Sequence, residues 1–137
     1  MQFDEMGLMS GKVLFLLPGT ACDYQTNFRS VLDRLADKYH LVCVNYDGFD
    51  GSDLIFPDML TVTGKIEQYI KDHFDGRIDG ALGSSLGGSF VGQLIQRQNV
   101  HLDHGIYTKG LSTDRRTGVQ RACPCRDGAH APGSVLQ

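Results

Sequence analysis

The chain has 137 residues, 41% of them hydrophobic and 21% charged, which suits one globular domain and argues against wholesale disorder. A net charge of −3 with no long basic run argues against nucleic acid as a partner, and no apolar stretch approaches the ~20 residues of a membrane span. The start, Met1-Gln2-Phe3-Asp4-Glu5-Met6, is acidic and lacks a signal-peptide layout, so a cytoplasmic location is the expectation.

Residues 1–11 show no clear period and read as a loose lead-in. Lys12–Leu17 is a near-continuous apolar run ended by Pro18-Gly19. Continuous apolarity predicts a strand covered on both faces, as in a parallel sheet. Pro18–Asp23 is then a loop at the strand's C-terminal end, the edge where open α/β sheets bind ligands. Phe28, Val31, Leu32, Leu35, Ala36 and Tyr39 repeat at helical spacing and predict one amphipathic helix. Thr26 or Asn27 is its candidate cap.

Leu41–Tyr46 is the second predicted strand. Cys43 within it reads as a small core residue, and the four cysteines do not form a secreted disulfide framework. The loop from Asp47 to Asp53 recurs in aspartate and glycine. It lacks the twelve-residue calcium layout, so it reads as a turn with backbone-bonded aspartates. Residues 54–60 lead into a second helix that carries Ile66, Tyr69, Ile70 and Phe74 and stops at Gly76.

Arg77–Leu82 is a third strand. Gly83-Ser84-Ser85-Leu86-Gly87 follows, a G-x-S-x-G pentapeptide, and the next residues read as a helix bearing Leu86, Phe90 and Leu94. Strand, sharp turn with serine at its tip, then helix is the context of a nucleophile elbow. The turn lifts the hydroxyl off the sheet, and flanking glycines avoid collision with strand and helix. Helix N-terminal N–H groups beside the serine can hold developing negative charge. His101–Tyr107 is a fourth, weaker strand.

Alternation of strand and helix predicts an α/β fold: a partial doubly wound, mainly parallel sheet of about four strands with flanking helices. Residues 12–107 form this domain. Residues 108–137 lack an apolar period and read as a disordered tail. Cys123-Pro124-Cys125 with His130 has C-x-C spacing and no second cysteine pair, so no metal site is assigned. No Walker lysine and no G-x-G-x-x-G occur, so neither a nucleotide nor another cofactor is expected.

With these features in order, the chain resembles the α/β-hydrolase family over residues 12–107, the N-terminal half of that fold. The resemblance rests on Leu16-Leu17-Pro18-Gly19-Thr20, on Tyr46–Ser52, on Gly83–Gly87 and on the helix opening Leu86-Gly87-Gly88-Ser89. It implies Ser85 as nucleophile and the Leu86 backbone N–H as one oxyanion-hole donor. The Thr20 N–H is implied as the second. Many members carry histidine before the glycine of that loop, where this chain has Pro18. The implied activity is hydrolysis of an ester, thioester or related acyl bond in a small acyl substrate.

In the family the acid and the histidine follow the serine, on loops after later strands. Those strands are missing here, so the chain reads as truncated and the triad acid and base stay unassigned. A serine without a base is a poor nucleophile. His40 and His73 read as solvated helix-end residues. His101 and His104 flank the fourth strand, and Asp103 beside His104 points to the opposite face. His130, with Asp127 or Asp114, satisfies the chain order but falls in the tail. Two other readings remain: a non-catalytic domain that binds an anion or acyl ligand at the Gly83–Gly88 turn, and a non-functional product. An open edge after the fourth strand predicts self-association.

Overall fold

The structure, a computed structural model, describes residues 1–49, 54–108 and 120–121. Strands β1 (Gln2–Gly7), β2 (Lys12–Leu17) and β3 (Tyr39–Asn45) come first, with short helices α1 (Tyr24–Asn27) and α2 (Leu32–Ala36) between β2 and β3. Helix α3 (Met59–Phe74), β4 (Arg77–Ser84), α4 (Leu86–Arg97), β5 (His101–Thr108) and β6 (Gln120–Arg121) follow. Among the described residues the strands form one mixed sheet, in the order β1-β3-β2-β4-β5-β6.

The four expected strands are its centre, β2 to β5, and they run parallel. Phe15 and Leu17 of β2 pack in one core with Val42 and Val44 of β3 and with Ile66, Ile70, Phe90 and Leu94 of α3 and α4. Leu16 packs in a second core with Leu41, Cys43, Tyr24 and Phe28. A strand with apolar partners on both faces needs no polar alternation, which is why the runs at 12–17 and 41–46 are nearly continuous. Burial pushes the Cys43 thiol up to about 12, so it stays an uncharged core group.

Four expectations are corrected. Residues 2–7 are not a loose lead-in: they pair antiparallel with His40–Asn45 of β3. Phe3 stacks on Tyr69, and Glu5 accepts from the Tyr69 hydroxyl at 2.6 Å. On the other face Asp4 accepts from the Tyr24 hydroxyl at 2.9 Å, and Met6 joins the second core. The strand alternates as strands must, but tyrosine hydroxyls satisfy its acids, so apolarity alone hides the period.

The second correction concerns the helix expected from Phe28 to Tyr39. Within that span only Leu32–Ala36, α2, is helical, and α1 ends before it begins. Phe28 and Val31 leave helical geometry at φ −107° and −121°, and Tyr39 and His40 belong to β3. The cap of α1 is Asp23, which accepts from the Thr26 N–H at 2.7 Å, not Thr26 or Asn27. Packing of Phe28 and Tyr24 under β3 outweighs the weak helical preference of so short a segment.

Third, the tail expectation lies mostly outside the described residues, but Gln120–Arg121 pair with Tyr107 and Ile106. The edge expected to be open is therefore covered at those two positions. Fourth, the loop after β3 ties its first aspartate to cationic groups outside the loop. Asp47 is buried, pairs with Lys65 Nζ at 2.7 Å and also contacts the Met1 ammonium group. Residues 50–53 of that loop lie outside the described residues.

Helix α3 follows its sequence closely. Asp58 caps it, accepting from the Thr61 N–H at 2.9 Å and the Thr61 hydroxyl at 2.7 Å. It ends with Asp75 in the left-handed region and Gly76 at φ 78°, whose N–H donates to the Ile70 carbonyl at 3.1 Å. Buried Glu67 ties α3 to the end of α4 through Arg97 at 2.8 Å and Asn99 at 3.0 Å. No helix among the described residues is long and apolar enough to cross a membrane.

Candidate active site

Ser85 sits between the last residue of β4 and the first of α4, at φ 52°, ψ −108°. This is a conformation that L-residues avoid, and holding it costs on the order of 1–3 kcal/mol. The side chain is exposed. The turn is as tight as its glycines allow. A Cβ at Gly83 would overlap the Gly87 carbonyl, and one at Gly87 would overlap the Leu17 carbonyl. A Cβ at Gly88 would come 2.9 Å from Tyr107 Cβ. The pentapeptide glycines are thus demanded by close backbone approach within the turn and to β2, and Gly88 by the Tyr107 side chain of β5.

The loop after β2 lies against the same serine. A methyl group on Gly19 would sit 3.4 Å from the Ser84 carbonyl and 3.6 Å from Ser85 Cβ. The Pro18–Gly19 peptide is held at both ends. Its carbonyl accepts from the Tyr46 hydroxyl at 2.8 Å, and its N–H donates to Asn27 Oδ1 at 2.7 Å. Burial pushes the Tyr46 phenol far up, so it remains a donor. The next carbonyl, of Gly19, accepts from the Cys22 N–H at 3.3 Å, with Ala21 at φ 55° between them. This turn leaves the Thr20 N–H outside its own hydrogen bond. The Leu86 N–H, at the first helical position, has no intrahelical acceptor.

Of the described histidines, His40, His73 and His101 lie toward the other end of the sheet and His104 lies mid-strand. His101 is in register with Arg77, eight positions before Ser85, or about 26 Å away along β4 at the usual strand rise. His104 is opposite Gly80, about 17 Å back on the same measure. His40 is opposite Val13, two strands from β4 and level with its beginning. It belongs to β3 rather than to a helix end, and its Nε2 lies 3.1 Å from Glu5 Oε2. His73 stacks on Tyr69 at 4.0 Å, beside that same glutamate's partner. Asp103 bonds His101 at 2.6 Å, two residues away on its own face, not the adjacent His104. Burial works against its charge, but the His101 bond and the Arg77 charge hold its carboxyl below the usual range. His130, Asp114 and Asp127 lie outside the described residues, as do Cys123 and Cys125.

Among the described residues no cluster of His, Cys, Asp or Glu could hold a metal ion. The sequence marked Ser85, Leu86 and Thr20, and the structure brings their loops together at one edge. Asn27 and Tyr46 escaped notice as loop holders. One looked like a helix cap and the other like a strand end, and neither has a local pattern that names its partner eight or more residues away.

No protein-family model matches the chain, and no curated protein sequence does either. Solved structures do match. An α/β hydrolase family protein from Desulfitobacterium hafniense superposes with a TM-score of 0.74 at 19% identity, over 85% of this chain and 48% of that one. The esterase RhEst1 from Rhodococcus sp. ECU1013 gives 0.65 at 22% identity, over 80% and 41%. The type II thioesterase BorB from the borrelidin biosynthetic cluster gives 0.63 at 17% identity, over 85% and 52%. The chain thus spans about half the length of the solved structures it matches, and over that span it has the fold of the α/β hydrolases.

Proposed function

We propose that the chain carries the nucleophile half of a serine-hydrolase site that acts on an ester, thioester or related acyl bond. The observation that carries this reading is the exposed Ser85 at φ 52°, ψ −108° on a strand-to-helix turn. In the proposed step Ser85 Oγ attacks the substrate carbonyl carbon. Its proton passes to a base, and the carbonyl π electrons move onto the oxygen. The Leu86 and Thr20 N–H groups receive that oxyanion. On collapse the protonated base returns the proton to the leaving oxygen or sulfur, the alcohol or thiol departs, and an acyl-serine remains for water to clear. The esterase and thioesterase among the matched structures agree with this substrate class.

The same reading makes the chain nearly silent by itself. A serine hydroxyl needs a base within hydrogen-bond reach, and the four described histidines lie mid-strand or toward the far edge of the sheet. Turnover of p-nitrophenyl acetate tests the proposal. The expected result is a rate close to that of Ser85→Ala at neutral pH, with added imidazole raising the wild-type rate and leaving the variant behind. Equal response of both proteins to imidazole would remove Ser85 from the chemistry.

A further inference from the structure

We propose that Asn27 is a positioning residue for the oxyanion-binding loop, a proposal that rests on the reading of Ser85 above. The Pro18–Gly19 peptide is a rigid plane. Asn27 Oδ1 holds its N–H at 2.7 Å and the Tyr46 hydroxyl holds its carbonyl at 2.8 Å. With one end gripped from α1 and the other from the end of β3, that plane has little freedom to rotate. The following peptide is fixed by the Gly19 carbonyl, which accepts from the Cys22 N–H. In a trans peptide the N–H points opposite to the carbonyl, so the direction of the Thr20 N–H follows from the direction of the Gly19 carbonyl.

The contact is local to the site. The position of a Gly19 methyl would be 3.2 Å from Asn27 Oδ1 and 3.6 Å from Ser85 Cβ, so the two side chains border the same glycine. Asn27 is the last residue of α1, and Asp23 caps that helix without it. Asn27 is therefore free to serve the loop, which explains an asparagine at a site where the helix has no use for one. It acts on substrate only through the Gly19 and Thr20 amides.

The test pairs two variants with two readouts. Asn27→Leu removes the acceptor, and Asn27→Asp keeps an oxygen at the same place. Amide hydrogen exchange at Gly19 should be protected in the wild type, quickened in Asn27→Leu and largely restored in Asn27→Asp. With imidazole present to take the serine proton, binding of an alkylboronic acid, whose adduct with Ser85 is a tetrahedral anion, should weaken about tenfold or more in Asn27→Leu. Binding of the matching neutral carboxamide should be unchanged. Recovery of boronic acid binding in Asn27→Asp distinguishes positioning from a general loss of structure. Unaltered Gly19 protection and boronic acid affinity in Asn27→Leu would overturn the proposal while leaving Ser85 in place. A wild-type chain that binds no boronic acid at Ser85 even with imidazole present would overturn the reading of Ser85 itself.

Discussion

The two edges of the sheet are built on opposite principles. At the C-terminal edge the backbone is strained and the side chains are few: Ser85 and Ala21 have positive φ, and three glycines are packed against backbone or side chain. At the N-terminal edge the positive-φ residues Asp75 and Gln98 are left-handed helix C-caps, a common conformation, and the side chains are dense in charge. There Glu5, Tyr69, His40 and His73 form one group, and Arg77, His101 and Asp103 form another. The difference teaches where each kind of residue is spent. Titratable groups fasten β1, β3, β4 and β5 at one end. At the other, conformational strain presents a hydroxyl to which no described imidazole is near.

The largest effect should come from forcing a side chain into the strained edge. Gly87→Ala puts a methyl into the Leu17 carbonyl, and we expect a loss of about 3 kcal/mol or more in denaturant unfolding. A small loss would mean that the turn is looser than its contacts imply. Tyr46→Phe comes next. It leaves the Pro18 carbonyl without its buried donor, and should cost about 1–3 kcal/mol by the same measurement.

Ser85→Gly should act in the other direction. Glycine adopts φ 52° freely, so the variant should gain about 1 kcal/mol in the same unfolding experiment. A loss would show that the serine side chain supports the fold and that the strain account is wrong.

The smallest effect belongs to the opposite edge. The Tyr69 hydrogen bond, with His40 beside it, holds the Glu5 carboxyl below its ordinary value. A carboxylate lowered in the folded state contributes stability above its unfolded pKa and loses it as pH falls through the folded one. Stability should therefore drop as pH falls below the usual glutamate range, and Glu5→Gln should flatten that limb. Glu5 is partly exposed, so the effect should be under about 1 kcal/mol. An identical acid limb in the variant would show that Glu5 does not fasten β1.

The sequence exposed these two edges unequally. The parallel centre was legible because β2 and β3 are apolar on both faces, and the serine turn because glycine spacing reports steric limits directly. β1 was not, since Asp4 and Glu5 are satisfied by Tyr24 and Tyr69 hydroxyls from distant elements. The long helix expected at 28–39 failed because the apolar repeat there serves α2 and the start of β3 in turn. Asn27 was invisible for a related reason: its partner is a loop amide, and hydrogen bonds to backbone leave no mark on composition.

Mass spectrometric mapping of fluorophosphonate labelling at Ser85, with and without added imidazole, addresses the contrast between the edges most directly. The account predicts almost no adduct in buffer at neutral pH and a clear Ser85 adduct once imidazole supplies the base. Rapid labelling without imidazole would show that the chain brings a base to its serine, and no adduct under either condition would show that Ser85 is not a nucleophile.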